Sequence, residues 1–423
     1  MTPADLVVRN VARLATLAGP APRTGAALRD LGIVEAAAVA AHRGRIVYVG
    51  PEAGLGATVA PEPGATVLDA EGAAVVPGFV DAHTHLAFAG DRDEEIRRRL
   101  AGASYREIAA AGGGIVRSVE ATRGASREEL AAAIRARLDE MLFQGTTTAE
   151  VKSGYGLELE AELRSLEAIR EAAAAHPVTV VPTFLGAHEV PVEHRRDRER
   201  YLRLLVDEMI PEVARRDLAV FCDVFCEEGV FSVAESRRIL LAARERGLGL
   251  RVHADELAPT GGAELAAELG ARSADHLVHV SEAGLRALAA APCAATLLPP
   301  ACFYLRLPRF APARAPVEAG APVALATDAN PGGGLSPSMP FAMTVACFSM
   351  GLSLEEALAA ATLNAAWSLD VHRERGSLEV GKRADLVVLR SPRLLDLVRV
   401  GVPAIRAVVK DGRIAVRDGR MQA

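Results

Sequence analysis

Short apolar runs rich in β-branched residues alternate with longer Ala/Leu/Glu/Arg stretches of helical period through the middle of the chain. The runs lie at 75–80, 146–151, 178–185, 219–225, 248–253, 273–277, 294–298 and 322–327, and helical patterns at 158–174, 232–244, 260–269 and 281–290 separate several of them. Eight such βα units predict an α/β fold, a TIM-type (β/α)8 barrel with its active site at the C-terminal ends of the strands. The two chain ends read differently. Short strand-like runs at 6–8, 38–40 and 46–49, with an Arg43-Gly44 turn, match runs at 384–389 and 407–416, where Asp411-Gly412 signals a hairpin. None could fold alone, so they are expected to pair into one small β-sandwich. The expected division is 1–74 and 376–423 for the sandwich and 75–375 for the barrel.

The 423 residues suffice for a large core. A net charge of -6 and the lack of basic runs interleaved with aromatics argue against nucleic acid or an anionic membrane, and for a small-molecule partner. Cys222, Cys226, Cys293, Cys302 and Cys347 sit mainly in apolar surroundings, as reduced thiols do. With no basic-then-apolar leader and no run of membrane-spanning length, the expectation is a soluble cytoplasmic enzyme. A homodimer is the commonest assembly for such a chain.

Candidate chemistry gathers at strand ends. Val76-Pro77-Gly78-Phe79-Val80-Asp81-Ala82-His83-Thr84-His85 ends in two histidines one residue apart, so both imidazoles face the same way and can close on one ion. His253, His276 and Asp328 also end apolar runs, and a catalytic metal site needs at least three protein ligands with one position open. One histidine alone is more often a core or surface residue, which is the reading for His42, His176, His194 and His372. Five metal-competent side chains on the ends of strands one, five, six and eight do not read as packing.

Asp328 leads into Ala329-Asn330-Pro331-Gly332-Gly333-Gly334, a loop able to bring backbone N–H groups and the Asn330 amide near a ligand. Gly112-Gly113-Gly114 lacks dinucleotide-fingerprint spacing and gets no nucleotide role. Arg92, just past His85, should overhang the barrel mouth, where its guanidinium can clamp a carboxylate. Lys152 is one of three lysines, with Lys382 and Lys410, and invites the idea of a carbamylated bridge between two metals. The fourth strand, however, ends in Cys226-Glu227-Glu228 and offers no such bridge, which favours one metal ion.

The chain resembles the amidohydrolase superfamily and, more narrowly, the imidazolonepropionase family. The resemblance spans essentially the whole sequence and rests on the Pro77 to His85 segment, Glu150-Val151-Lys152-Ser153-Gly154-Tyr155-Gly156-Leu157, Thr183-Phe184-Leu185-Gly186-Ala187-His188, Ala274-Asp275-His276-Leu277 and Thr327-Asp328-Ala329-Asn330-Pro331-Gly332. It implies that His83, His85, His253 and Asp328 hold one zinc or iron ion. Arg92, Tyr155, His188 and Glu256 would contact the substrate, with Asn330, Gly332 and Gly333 lining the product side. One departure is the glycine run after Asn330, so Gly333 can serve only through its backbone. The implied reaction is hydrolysis of the lactam C–N bond of 4-imidazolone-5-propanoate to N-formimidoyl-L-glutamate. Glu256 would be the proton shuttle, and His276 would hydrogen-bond the attacking water or the developing oxyanion. The nearest alternative is a deaminase of the same superfamily, which would release ammonia from a base or a formimino compound. A non-catalytic barrel would be expected to have lost ligands or the shuttle, and neither is missing.

Overall fold

The structure, a computed structural model, describes residues 1–102 and 114–422. Gly112 and Gly113 of the Gly112-Gly113-Gly114 segment lie outside the described residues. The chain begins with β1 (Thr2–Ala15), β2 (Ile33–His42), β3 (Arg45–Pro51), β4 (Val59–Asp69) and β5 (Ala74–Pro77). It ends with β14 (Leu386–Leu389), β15 (Ile405–Lys410), β16 (Arg413–Arg417) and β17 (Arg420–Met421). These form one mixed sheet of order β17-β16-β15-β14-β5-β1-β2-β3, with β4 also on β1. The two ends therefore pair as their patterns require, with Asp411 and Gly412 turning between β15 and β16. Alternation explains the burial: Leu6, Val8 and Leu14 pack with Val39, Leu386 and Val388 on one face, while Val7 packs with Ala40 and Val59 on the other.

The barrel strands are β6 (Phe79–Asp81), β7 (Thr146–Lys152), β8 (Thr179–Ala187), β9 (Phe221–Cys226), β10 (Gly249–Ala254), β11 (Ser273–His276), β12 (Ala294–Leu297) and β13 (Val323–Leu325). All their pairings are parallel and in chain order, so the eight expected runs do form the eight-stranded sheet. The first run needs correction. It is not one strand over 75–80 but two, because Pro77 lacks an N–H to donate and a Cβ at Gly78 would come within 2.3 Å of Thr147 Oγ1. The chain leaves the terminal sheet there and enters the barrel as β6. The expected helices are found at Leu159–Ala175, Val233–Glu245, Gly262–Leu269 and Glu282–Ala290. Ser232 with Glu235 makes a capping box that starts the second of them.

The seam between first and last strands closes beyond their ladders. Asp328 N donates to His83 O at 3.0 Å and His85 N donates to Ala329 O at 2.9 Å. Closure thus locks the segments carrying His83, His85 and Asp328 to one another. Cys222, Cys226, Cys293 and Cys302 are buried free thiols, in keeping with their apolar surroundings. Among the described residues no helix is long and apolar enough to cross a membrane.

Candidate metal centre and substrate pocket

Period-two alternation sends Asp81, His83 and His85 inward from the first strand and its extension, and Arg251 and His253 inward from β10. Across the barrel mouth, His83 Nε2 and His85 Nε2 lie 3.1 Å apart, and His253 Nε2 lies 3.3 Å from His85 Nε2. Asp328 Oδ1 sits 3.6 Å from His83 Nε2 and 3.4 Å from His85 Nε2. Ligands about 2.0–2.2 Å from a tetrahedral ion stand about 3.4 Å from each other, a spacing that His83, His85 and Asp328 match as one group; His253 adjoins it through His85 and also groups with His83 and His276. Burial holds the His83 and His85 imidazoles well below their ordinary range, and it holds His253 at about 3. Neutral imidazoles facing one another offer lone pairs, the form a metal takes. Asp328 holds φ at 53° and His276 at 78°, a left-handed backbone that non-glycine residues seldom adopt and that clusters at working sites.

His276 brings its ring to within 5.2 Å of that of His253. Its Nε2 is buried with no hydrogen-bond partner among the described residues, while Nδ1 lies 3.6 Å from Glu256 Oε1. Burial raises the Glu256 carboxyl, as suits a group that must hold a proton for part of a cycle.

Behind the ligands runs a layer that sequence reasoning did not assign. His83 Nδ1 meets Asp275 Oδ2 at 2.7 Å and His253 Nδ1 meets Asp223 Oδ2 at 3.0 Å. An ionised carboxylate only accepts, so the His83 ring carries its proton on Nδ1 and turns a bare Nε2 to the cavity, while His253 Nδ1 faces its carboxylate as a close ion-pair contact. Lys152 Nζ is 2.7 Å from both Asp223 and Glu150. Lys152 is thus spent on ion pairs under the site. The signal for this layer was present as alternation, since Glu150 with Lys152 and Arg251 with His253 are two apart on their strands.

A cavity of about 640 Å³ opens over the ligands and is lined by His85, Arg92, Tyr155, His188, His253, Glu256, His276, Asp328, Asn330, Gly332 and Gly333. Of the expected site residues only His83 is absent from its wall, being fully buried beneath. His42, His176, His194 and His372 are not part of the wall. His188 stacks on His85 with ring centroids 5.0 Å apart, and Tyr155 stands edge-on at 5.3 Å from His188. His188 Nδ1 donates to Gly154 O at 2.9 Å, which leaves Nε2 as an acceptor. Burial holds this imidazole at about 3, so it is neutral. The Tyr155 loop is anchored by buried Glu162, which accepts from the backbone N–H groups of Gly154, Gly156 and Leu157.

Two expected donors are differently employed. Arg92 Nε donates to Glu95 Oε2 at 2.7 Å and its Nη2 also donates to Glu95, so the fork that was to grip a ligand already holds a carboxylate. Arg99 joins the cluster, donating to Glu95 Oε1 at 3.0 Å and to Gly332 O at 2.8 Å. Asn330 Oδ1 accepts from Gly332 N and Gly333 N at 2.8 and 2.6 Å, and its Nδ2 donates to Asp328 O at 2.7 Å. The loop's amides therefore tie its own turn and do not aim at the cavity. Gly334 is required by approach, since a Cβ there would lie 1.6 Å from Asp328 O, and a Cβ at Gly332 would displace the Arg92 guanidinium, whose Nη1 would be 2.0 Å away.

Residues 74–415 match the model of the amidohydrolase family. Imidazolonepropionase of Symbiobacterium thermophilum is 53% identical over 424 residues, covering 100% of both chains. Imidazolonepropionase of Geobacillus kaustophilus is 48% identical, covering 98% of this chain and 99% of the other. Among solved structures, an adenosine deaminase from Xanthomonas campestris with bound zinc superposes with a TM-score of 0.74 at 20% identity, over 100% of this chain and 95% of that one. Atrazine chlorohydrolase from Arthrobacter aurescens, complexed with zinc, gives a TM-score of 0.74 at 17% identity, over 98% and 96%. The two structures share the fold.

Proposed function

The chain belongs to the amidohydrolase family and, within it, to the imidazolonepropionases, and from that premise we propose how its pocket performs the reaction. It is a hydrolase of C–N bonds that opens the lactam of 4-imidazolone-5-propanoate to N-formimidoyl-L-glutamate. The family brings a divalent metal. We assign it as one zinc or iron ion on His83, His85, His253 and Asp328, and the observation that carries this is that the ligand atoms of His83, His253 and Asp328 all lie 3.1–3.4 Å from His85 Nε2. When bound, such an ion acidifies water and polarises a carbonyl.

The chain's own residues do the rest. Glu256 takes a proton from the attacking water and passes it to the ring nitrogen as the C–N bond breaks. Oxygen ends on the new carboxyl group and one hydrogen on the freed nitrogen, and the second hydrogen leaves as a proton when that carboxyl ionises, so the step balances with one water. His276 Nε2 hydrogen-bonds the oxygen on which charge develops. His188 and Tyr155 orient the ring, with His188 Nε2 accepting from a ring N–H. Arg92 and Arg99 against Glu95 leave one net positive charge at the mouth, the sign needed to receive the propanoate. Asn330, Gly332 and Gly333 form the wall on the product side. Reduced buried thiols fit a cytoplasmic setting, and a homodimer fits how such enzymes commonly assemble.

The test joins metal analysis to an assay following loss of the imidazolone chromophore. About one zinc or iron per chain and formation of a dicarboxylate product without ammonia are expected. Stoichiometric ammonia release would transfer the assignment to a deaminase.

A further inference from the structure

Five ionic side chains, Glu150, Lys152, Asp223, Arg251 and Asp275, are wholly buried in the barrel beneath the ligands. They form one unbroken chain between the rear nitrogens of two ligands. From His83 Nδ1 it runs to Asp275 at 2.7 Å, Arg251 at 3.3 Å, Glu150 at 3.0 Å, Lys152 at 2.7 Å, Asp223 at 2.7 Å and finally His253 Nδ1 at 3.0 Å. Arg251 is braced independently, donating to Ala82 O at 2.8 Å and Ser368 O at 3.1 Å. Lys152 has no such backbone brace among the described residues; its contacts are the two carboxylates. Asp223 Oδ1 accepts from Val224 N at 2.7 Å, which fixes one oxygen, while its Oδ2 is the atom that faces both Lys152 Nζ and His253 Nδ1 and has Lys152 as its cation.

We infer that Lys152 is a positioning residue of the metal centre: its ammonium holds the Asp223 carboxylate, and through it the His253 ring, in the orientation that turns Nε2 toward the cation. The cation of the His83 arm, Arg251, is tied to two backbone carbonyls, whereas the cation of the His253 arm, Lys152, is held among the described residues by carboxylates alone. The inference rests on the metal reading above. It also opposes simple electrostatics. Three acids against two bases leave this floor one negative charge, and removing Lys152 makes it more negative, which by charge alone would draw a cation in more tightly. Positioning predicts the reverse, because the support behind a ligating histidine is commonly worth about 10- to 100-fold in metal affinity.

The experiment measures zinc affinity of metal-stripped, refilled enzyme by competition with a chromophoric chelator. Lys152→Met should bind zinc about 10- to 100-fold more weakly than the parent. Glu150→Gln/Lys152→Met removes one charge of each sign, so the floor keeps its net charge while Asp223 still loses its cation. It should show the same loss, and it decides the matter if the single variant does not fold. Affinity within twofold of the parent, or tighter, in either folded variant overturns the inference while leaving the metal reading intact. A parent that binds neither zinc nor ferrous iron overturns both. A merely structural role would lower the melting temperature of the metal-free variants without changing the affinity of the folded fraction. Independently of any variant, ¹⁵N shifts of the histidines in the metal-free parent should show His253 and His83 protonated on Nδ1. Protonation of His253 on Nε2 would refute the inference.

Discussion

Two clusters of buried ions flank the cavity, and they differ in sign, in span and in construction. The floor under the ligands draws Glu150 and Lys152 from β7, Asp223 from β9, Arg251 from β10 and Asp275 from β11, and carries one net negative charge. The rim draws Arg92, Glu95 and Arg99 from one turn-spaced segment around the helix Asp93–Leu100 and carries one net positive charge. Strand ladders fix the floor across the barrel from β7 to β11, so the supports of the imidazoles are set by the sheet itself. The rim is a local i, i+3 and i, i+4 arrangement attached to the barrel through Gly332 O and Gly114 N. A rigid negative base suits chemistry on a cation, and a locally built positive edge suits reception of an anion. Variants near the floor should therefore alter metal content and kcat, while variants of the rim should alter KM.

The largest effect is expected from His253→Ala, which should lose both metal and turnover, read by metal analysis of the purified variant and by the imidazolone assay. Full activity in metal-stripped protein would sink the mechanism. Next is Glu256→Gln, which keeps shape and hydrogen bonding but carries no proton. Its kcat should fall by roughly 10² to 10⁴ with metal retained. A kcat within a few-fold of the parent would shift the shuttle to His276.

Arg92→Ala sharpens the other side of the comparison. Loss of the rim's net positive charge should raise KM by about tenfold, roughly 1.4 kcal/mol, and lower kcat far less. An imidazolone analogue without the carboxylate should bind parent and variant almost equally. If both compounds lose affinity by the same factor, Arg92 supports the rim through Glu95 and does not read the substrate. A loss of metal in this variant would break the separation of rim from floor.

The smallest effect is on pH dependence. A general base must be ionised to accept a proton, so kcat/KM rises with pH through the pKa of Glu256, which burial places above the usual carboxylate range. The acid limb should lie correspondingly higher than for an exposed glutamate and should vanish from the residual activity of Glu256→Gln. An unchanged limb in that variant would assign it to another group. The rim should not contribute to it. Burial raises the Glu95 carboxyl, but its bonds to Arg92 outweigh this and hold it below its ordinary value, so the rim stays ionised until the pH falls below that value.

The order and spacing of apolar runs determined the barrel, and the matching strand patterns at the two ends determined that they pair. Both follow from periodicity, which a linear sequence displays directly. The ends of those runs also located His83, His85, His253, His276 and Asp328, because side-chain alternation and strand termination are local properties. What stood opposite each of them was decided only by closure of the barrel. Register across five strands brought Asp223 and Asp275 behind two imidazoles and placed Lys152 under the site, where its position after the second strand had suggested a bridge above it. Glu95 is three residues from Arg92, yet its hold on the guanidinium depends on a helix folding back over the mouth. Asn330 turned its amide into its own loop because the following glycines let the backbone return within reach. A sequence specifies which face a donor occupies, but its partner is a property of distance, and distance across a barrel is set by every strand in it.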